Sequence, residues 1–445
     1  MESMLLTFVG LFSSWHTVTV LLFFMAVCFL LGMPVFSALM ISTILALLHS
    51  NFLPLSVIHN ALSEGLNIFP LLAIPCFVIA GSLMERGGIT QVIIDLIKQM
   101  TGRAYGGLGI TAILACTFFA CIISSGPGTV AAVGTLLIPS MVRSGYSKTY
   151  AASVCSSGGT IGMMIPPSNP LIIYAIIGNL SVTTMFTAGF VPGFTIAFFM
   201  TITAYLVARR HGFRGDDSIP PFNAKVFFWS VIKGFPSLFT PFLILGSIYT
   251  GYATPVEASV VAIVWSIFVG VFINRALRPI HFYQALLEGA AICGAILIII
   301  GAATLFGRLL TFFEAPQHMA NFVLGISTDP LVVLFMILAV LLVIGMVMES
   351  LSTIIILVPV LMPVLDILGI CPIHFGILLV VTNEIALLTP PVGINLFVAS
   401  SIAKIPFEKL IVGVLPYLAV LMGCLLLFTL FPDYVLWLPR LVGHL

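Results

Sequence analysis

The sequence has very little charge. Only 7% of its 445 residues are Asp, Glu, Lys or Arg, whereas hydrophobic residues make up 60%. A soluble domain has about 25% charged residues, because its surface must be hydrated. The chain therefore has too little charge to cover a water-exposed surface of this size, and we expect lipid to cover most of its exterior. The net charge of +1 argues against a nucleic-acid partner.

Motifs typical of enzymes and disulfide or metal sites are also lacking. The sequence contains no H-E-x-x-H, G-x-S-x-G or P-loop pattern, and its eight cysteines form no C-x-x-C pair. An intramembrane enzyme would need a nucleophile beside a base, but the eight histidines lie mainly in gaps between apolar segments or near their ends. We therefore expect no enzymatic activity.

Long apolar runs occupy most of the chain. A bilayer core is ~30 Å thick and takes about 20 residues of helix, so the length allows roughly 10–12 spans. Barrel strands would alternate apolar and polar residues, but runs such as 18–31 and 331–347 do not. The sequence therefore predicts an all-α integral membrane protein with about ten full transmembrane helices.

The basic residues suggest an orientation. They concentrate in four gaps, which the positive-inside rule places in the cytoplasm, whereas gaps 178–189, 250–256 and 314–330 contain no Lys or Arg. Full passes are then predicted near 18–32, 35–50, 66–84, 148–178, 190–208, 236–250, 257–273, 290–313, 374–400 and 412–431.

Two apolar stretches, 109–142 and 331–366, do not fit this alternation as single passes. Polar residues interrupt the middle of each, Ser124–Thr129 in the first and Glu349–Thr353 in the second. Each arm is roughly 13–15 residues, or about 20–23 Å of helix, which is short of a full crossing. The pattern predicts two re-entrant hairpins, the first entering from the cytoplasm and the second from outside.

The two hairpins belong to an internal repeat. We call the number of residues that separates Thr129 from Thr353 in the sequence the repeat offset. The same offset relates Glu64-Gly65 to Glu288-Gly289, Pro139 to Pro363, Gly145 to Gly369, and Pro166-Pro167 to Pro390-Pro391. The predicted topology places an odd number of passes between the copies, so the repeat is inverted. Inverted repeats with broken helices are typical of secondary transporters.

A Pro-Pro pair interrupts the helix that follows each hairpin. Proline cannot donate a backbone hydrogen bond, and it forces the preceding residue out of the helical region. The half-helix that restarts after the pair offers N–H groups and a positive dipole end to an anion, and the one before it offers carbonyls to Na⁺. A simple proline kink is the alternative, and the duplication of the arrangement favours binding sites.

Polar groups at the hairpin tips are candidate ligands, although membrane Ser and Thr often donate to a carbonyl one turn earlier. Ser125 and Thr129 in the first tip, and Ser352 and Thr353 in the second, are favoured as ligands because helix is disfavoured beside Gly and Pro. Glu349 and Glu384 either contribute to a cation site, take up a proton, or are structural acids, because a lone charge at membrane depth is costly.

These segments resemble the large membrane subunit of the tripartite ATP-independent periplasmic (TRAP) transporters over essentially the whole chain. The most specific segments are Gly107-Leu108-Gly109, Ser125-Gly126-Pro127, Gly159-Thr160-Ile161-Gly162, Ile165-Pro166-Pro167-Ser168, Ala253-Thr254-Pro255-Val256-Glu257-Ala258 and Thr389-Pro390-Pro391-Val392-Gly393. The resemblance implies a Na⁺-driven importer of organic acids, such as C4-dicarboxylates or sialic acid, in the bacterial inner membrane. It also implies a periplasmic substrate-binding protein, a separate small four-helix membrane subunit, and an elevator mechanism.

The resemblance also implies two groups of site residues. The predicted Na⁺ ligands are Ser125, Thr129, Gly159, Thr160, Glu349, Ser352, Thr353 and Asn383. The predicted substrate-binding residues are Ser124, Gly126, Pro166, Pro167, Ser168, Ser350, Thr389, Pro390, Pro391 and Gly393. The alternatives are an ion-coupled organic-anion carrier that works without a binding protein and, with less support, a passive channel.

The predicted organisation divides the chain into five units. They are N-terminal scaffold helices in 1–60, a first repeat in 61–208 with hairpin 109–142 and broken helix 148–178, a cytoplasmic link in 209–235, scaffold helices in 236–283, and a second repeat in 284–445 with hairpin 331–366, broken helix 374–400 and a C-terminal helix.

Overall fold

The chain is all-helical, as the apolar runs predict. The computed structural model describes residues 16–50, 56–215, 219–315 and 327–443, with His318 and Gly325. These residues contain nineteen α-helices and no β-strand. In chain order the helices are α1 (Thr17–Leu30), α2 (Val35–Ser50), α3 (Ser56–Leu66), α4 (Ala73–Arg86), α5 (Ile89–Thr101), α6 (Gly107–Ile123), α7 (Gly126–Arg143), α8 (Lys148–Thr160), α9 (Asn169–Ile177), α10 (Val182–Arg210), α11 (Ala224–Tyr249), α12 (Pro255–Phe268), α13 (Pro279–Phe312), α14 (Pro330–Gly345), α15 (Ser350–Ile367), α16 (Pro372–Ala386), α17 (Ile394–Ala403), α18 (Phe407–Leu430) and α19 (Pro432–Leu441).

Seven helices of the described chain are long and apolar enough to cross a membrane without interruption. They are Phe69–Arg86, Val182–Arg210, Ala224–Tyr249, Pro255–Ile273, Pro279–Phe312, Ser350–Ile367 and Phe407–Leu430. Six of these seven coincide with predicted passes, and the seventh, Ser350–Ile367, is an arm of the predicted second hairpin. The other four of the ten predicted passes are α1, α2 and the two broken helices α8–α9 and α16–α17, whose continuous segments are shorter. The chain is thus a multi-pass membrane protein.

The helix boundaries follow the repeat offset found in the sequence. The first and last residues of α7 lie at that offset from the first and last residues of α15, and α8 and α16 begin at the same offset. Pro139 and Pro363 occupy equivalent positions inside α7 and α15. The division of the chain into five units stays a prediction, and parts of the units 1–60, 209–235 and 284–445 lie outside the described residues.

The hairpin helices are longer than the sequence predicts. The arms of the first hairpin have 17 and 18 residues, and those of the second have 16 and 18. The estimate of about 13–15 residues was too short because it assigned the first polar and glycine residues of each arm to the loop. In fact, α7 begins directly after its capping residue Ser125, and α6 already includes Gly107.

The helices form two groups. In the inner group, the hairpins and broken helices pack among themselves and against α10, α18 and α19. In the outer group, α13 packs against α2, α3 and α4, and α12 packs against α4 and α11. Within the inner group, packing crosses between the repeats: α17 packs on α7 and α8, and α9 packs on α15. Each half-helix that follows a Pro-Pro pair therefore lies against the hairpin of the other repeat.

Two ion pairs join α13 to the helices of the first repeat. Arg86 pairs with Glu288, and Arg308 pairs with Glu64. The two glutamates are themselves related by the repeat offset. Gln284 accepts a further hydrogen bond from Arg86 over 2.6 Å. Both glutamates therefore connect helices of the outer group.

Candidate functional site

The first hairpin tip is joined directly to the first Pro-Pro break. Helix α6 ends at Ile123, and its capping residue Ser124 has a left-handed backbone with φ of 52°. The Ser124 hydroxyl donates a hydrogen bond to the Pro167 carbonyl. The next residue, Ser125, caps α7, and its hydroxyl accepts a hydrogen bond from the Gly128 N–H over 3.4 Å. The contact between Ser124 and Pro167 brings two of the predicted substrate-binding residues together.

Oxygen atoms of the tip face two glycines of the broken helix. Thr129 is fully buried, and its Oγ1 has no hydrogen-bond partner. A Cβ atom on Gly162 would lie 2.6 Å from Thr129 Oγ1 and 3.1 Å from the Ser125 carbonyl oxygen. A Cβ atom on Gly159 would lie 3.0 Å from the Gly126 carbonyl oxygen. We call these five residues the first oxygen cluster.

Further buried polar atoms without a hydrogen-bond partner lie on the two broken helices. The Ser157 Oγ, the Asn169 Oδ1 and the Asn395 Oδ1 are buried and have no hydrogen-bond partner. A Cβ atom on Gly126 would lie 3.2 Å from Asn395 Oδ1, and the Asn395 Nδ2 donates to the Ser156 carbonyl over 3.4 Å. Because Asn395 belongs to α17, the second broken helix contributes a polar group to the first hairpin tip.

Two of the predicted hydroxyl ligands are hydrogen-bonded within the broken helix. The Thr160 Oγ1 donates to the Ser157 carbonyl over 2.7 Å, and the Ser168 Oγ donates to the Met163 carbonyl. The protons of these two hydroxyl groups are therefore already used in hydrogen bonds, although the oxygen lone pairs can still accept a hydrogen bond or bind a cation. Pro166 is buried beside them.

The second hairpin tip carries three buried hydroxyls. Ser350, Ser352 and Thr353 expose 4%, 3% and 0% of their surface. The Thr353 Oγ1 donates to the Glu349 carbonyl over 3.1 Å, which is the local hydrogen bond that the sequence left as an alternative. Glu349 itself precedes α15 without a side-chain capping bond and is exposed. The side chain of Glu349 is thus less enclosed than its position at a hairpin tip suggested.

Asn383 faces the end of α14 with no partner for its amide. Both its Oδ1 and its Nδ2 are buried without a hydrogen bond, and a Cβ atom on Gly345 would lie 3.1 Å from the Oδ1. The neighbouring Glu384 is fully buried, and neither of its carboxyl oxygens has a hydrogen-bond partner. A charged carboxylate in such a place is costly unless a cation accompanies it.

The two Pro-Pro breaks differ in exposure. Pro166 and Pro167 are buried, whereas Pro390 is half-buried and Pro391 is exposed. Both pairs contain a cis peptide bond. In the second break the Thr389 Oγ1 donates to the Ile385 carbonyl over 2.7 Å, and Gly393, with φ of 58°, precedes α17. The second break is therefore the one that opens to the surface.

Sequence reasoning missed several residues that the structure places at the hairpin tips or in the broken helices. Gly162 was read only as part of a motif, and Ser157, Asn169, Gly345 and Asn395 were not predicted as site residues. An asparagine at membrane depth close to a helix break is a signal that could have identified Asn169 and Asn395. The positions of Gly162 and Gly345 depend on packing between distant helices, which the spacing of residues does not specify.

The chain is similar to known transporter subunits over most of its length. Residues 22–434 match the family model of the tripartite ATP-independent periplasmic transporter, DctM component. The isethionate TRAP transporter permease protein DctMQ of Oleidesulfovibrio alaskensis is 36% identical over 93% of this chain, which spans 65% of that relative. The C4-dicarboxylate large permease DctM of Pseudomonas aeruginosa is 39% identical over 84% of this chain and 87% of its own length. The sialic acid large permease SiaM of Vibrio cholerae is 34% identical over 92% of this chain and 95% of its own length.

Solved transporter structures share the fold at low sequence identity. The YdaH transporter of Alcanivorax borkumensis matches with a TM-score of 0.63 at 14% identity, over 85% of this chain and 87% of that one. The MtrF efflux pump of Neisseria gonorrhoeae matches with a TM-score of 0.59 at 15% identity, over 86% of this chain and 83% of that one. The family match and the relatives agree with the resemblance in the sequence: the chain belongs to the DctM family of TRAP transporter large permeases.

Proposed function

We propose that this permease of the bacterial inner membrane couples the entry of Na⁺ to the import of a small organic anion. The relatives are named for isethionate, C4-dicarboxylates and sialic acid. These compounds differ in size and shape but share an acidic group that is ionised at neutral pH. Their common chemistry supports an organic acid as the substrate of this chain.

The first oxygen cluster is the observation that carries the sodium proposal. Burial of a hydroxyl without a hydrogen-bond partner costs about 1–3 kcal/mol of stability. The unpartnered Thr129 hydroxyl and the Ser125 carbonyl oxygen both face Gly162. A dehydrated Na⁺ replaces its water ligands with such carbonyl and hydroxyl oxygens, as at the unwound helices of other transporters. The glycines leave the oxygens unobstructed, and Thr160 is held beside them.

The equivalent place in the second repeat supports a second Na⁺ site. The unpartnered Oδ1 of Asn383 faces the end of α14 beside Gly345, the last residue of that helix. Ser352 and Thr353 are buried at the adjoining tip. Glu349 is exposed, so we place it at the edge of this site, where its charge acts at longer range.

The substrate is proposed to bind between the tips and the half-helices that restart after the prolines. Helices α9 and α17 begin there, and their first N–H groups and positive dipole ends favour an anion. Ser124, Ser168, Ser350 and Thr389 bring hydroxyl groups to the same breaks, and Gly393 allows close approach to the backbone.

Two partners complete the proposal. A small four-helix membrane subunit would pack beside this chain, and a periplasmic binding protein would deliver the anion. The name DctMQ of one relative, of which this chain spans 65%, is consistent with a fusion of two membrane subunits. In an elevator mechanism, the inner group of helices would move as a rigid block against α11–α13 and the N-terminal helices.

Uptake into proteoliposomes tests the proposal. The vesicles would contain this chain with its small subunit, and radiolabelled C4-dicarboxylates, sialic acid and isethionate would be tested with an inward Na⁺ or K⁺ gradient. Uptake that requires both Na⁺ and the binding protein is the expected result. Uptake with Na⁺ alone would favour a stand-alone carrier, and equal uptake with K⁺ would contradict the proposed coupling.

A further inference from the structure

A basic groove lies at the opposite end of α6 from the first hairpin tip. Its volume is about 550 Å³. It is lined by Tyr105, Tyr205, Arg209, Gly212 and Arg214. The 17 residues of α6 separate it from the oxygen cluster by about 25 Å at 1.5 Å per residue. The groove is therefore too distant to belong to the proposed transport site.

The two arginines of this groove have no acidic partner in the described part of the chain. The ion pairs found there involve other arginines, and neither Arg209 nor Arg214 makes a side-chain hydrogen bond to a described residue. Asp216 and Asp217 follow in the sequence and lie outside the described residues. Arg103 and Arg210, which flank the groove in sequence, are exposed and add positive charge.

An aromatic cluster supports the loop that carries Arg214. The rings of Tyr146 and Tyr150 lie 5.4 Å and 5.3 Å from the ring of Phe213, and the ring of His211 stacks on Phe213 at 5.7 Å. The Phe213 carbonyl accepts a hydrogen bond from the Gly106 N–H over 3.1 Å. The basic groove thus has a packed base that joins two loops.

A large apolar groove lies beside α10, the helix that carries Arg209. Its volume is about 1250 Å³, and it lies between α6, α10, α11 and α19. Phe198 of α10 and Phe242 of α11 line it and are 61% and 70% exposed. Such an exposed pair of phenyl rings is favourable in contact with hydrocarbon and costly in contact with water.

The two grooves lie along one face of α10. With 3.6 residues per turn, Phe194, Phe198, Tyr205 and Arg209 fall within about 60° of one another around the helix axis. The rise from Arg209 to Phe198 is about 16 Å, close to half of a ~30 Å hydrocarbon core. The chain thus presents a cationic groove followed by an apolar groove over the depth of a single leaflet.

We propose that these grooves form one binding site for an anionic phospholipid of the cytoplasmic leaflet. Arg209 and Arg214 hold the phosphate, because guanidinium groups match phosphate oxygens in pairs. Tyr105 and Tyr205 lie at the headgroup level, where tyrosine is favoured. An acyl chain follows α10 and packs on Phe198. Lipid thereby fills the space between α10 and α11.

Lipid retention by the purified full chain, with its small subunit, tests the site. The protein would be exchanged against radiolabelled phosphatidylglycerol with phosphatidylcholine or inorganic phosphate as competitor. We expect phosphatidylglycerol to be retained against both competitors. Displacement by phosphatidylcholine at equal concentration would overturn the charge argument, and displacement by millimolar phosphate would show a simple anion site. This competition experiment uses the unmodified protein, so its result does not depend on the folding of a variant.

Matched variants localise the site. Arg209→Gln with Arg214→Gln should weaken retention about thirtyfold, at about 1 kcal/mol per arginine near an anionic lipid. The control, Arg143→Gln with Arg275→Gln, removes the same charge from exposed positions elsewhere and should retain the lipid. The charge-preserving pair Arg209→Lys with Arg214→Lys should keep much of the retention. Equal losses in the test and control variants would overturn the assignment.

The acyl position has its own readout. In a protein whose four native tryptophans are replaced by phenylalanine, the tryptophan introduced by Phe198→Trp should be quenched by phosphatidylglycerol brominated on its acyl chain. The quenching should fall when Arg209→Gln and Arg214→Gln are added. Quenching that is unaffected by the loss of the arginines would show that Phe198 contacts bulk lipid only, and would overturn the proposed continuity of the two grooves.

Discussion

Replacing Thr129 with valine distinguishes a role in binding Na⁺ from a purely structural role, because the two roles predict opposite effects on stability. The Thr129 Oγ1 is buried without a partner, so a structural view predicts that its removal does no harm. Valine retains the branched shape and eliminates an unsatisfied group whose burial costs about 1–3 kcal/mol. In Na⁺-free buffer we therefore expect Thr129→Val to be at least as stable as the unmodified protein.

The proposed ligand role predicts the opposite effect when Na⁺ is present. Interactions of a neutral polar group with a charge contribute about 1.5–3 kcal/mol, which corresponds to a Na⁺ affinity weaker by roughly 10- to 150-fold. At a Na⁺ concentration about 100 times the dissociation constant, binding stabilises the fold by about 2.7 kcal/mol. An affinity weaker by about thirtyfold would reduce this gain to about 0.9 kcal/mol.

The assay compares thermal unfolding in Na⁺ and K⁺ with the Na⁺ dependence of uptake. Thr429→Val is the matched control, because Thr429 is also buried but its Oγ1 already donates to the Leu425 carbonyl over 2.7 Å. We expect the control to retain the Na⁺-dependent stabilisation. A Thr129→Val protein with the unmodified Na⁺ affinity would refute the assignment of this hydroxyl to the cation.

Three further predictions address the other features of the fold. Gly162→Ala places a methyl group 2.6 Å from Thr129 Oγ1, so the half-saturating Na⁺ concentration for uptake should rise at least as much as in Thr129→Val; an unchanged value would count against the cluster. Asn383→Leu should keep the first Na⁺-binding step and lose a second one in equilibrium Na⁺ titrations, and two intact steps would contradict the second site. Arg86→Met and Glu288→Gln should show a coupling below about 1 kcal/mol in a double-mutant cycle of unfolding, because the two side chains are 28% and 47% exposed.

The parts of the fold that depend on local chemistry were predictable from the sequence. The polar stretch Ser124–Thr129 interrupts the first hairpin as predicted, although α7 begins inside it, because Ser125 provides a capping hydroxyl and Pro127 lies in the first helical turn. The Pro166-Pro167 pair interrupts its helix as expected, because neither ring nitrogen can donate a hydrogen bond. The repeat offset also reappears in the helix boundaries.

Features that depend on packing between distant segments were not predictable. Asn395 reaches Gly126 although the two residues belong to different repeats, and no local pattern relates them. Helix α19 was missed because it is short, contains Pro439, and has less apolar character than the spans. The pair between Arg308 and Glu64 joins helices that are far apart in the sequence, and no local pattern specifies it.

The crossed packing of the half-helices gives a physical basis for coupling between Na⁺ binding at the first tip and binding of the anion. Asn395 extends from the second broken helix to the first tip, and α9 of the first broken helix packs on α15 of the second hairpin. A cation that orders the first tip would therefore restrict α17, whose N-terminal end is proposed to hold the substrate. Part of the entropy cost of ordering that end would be met before the anion arrives. Binding of Na⁺ and of the anion should then be mutually strengthening, and linkage requires the two enhancements to be equal.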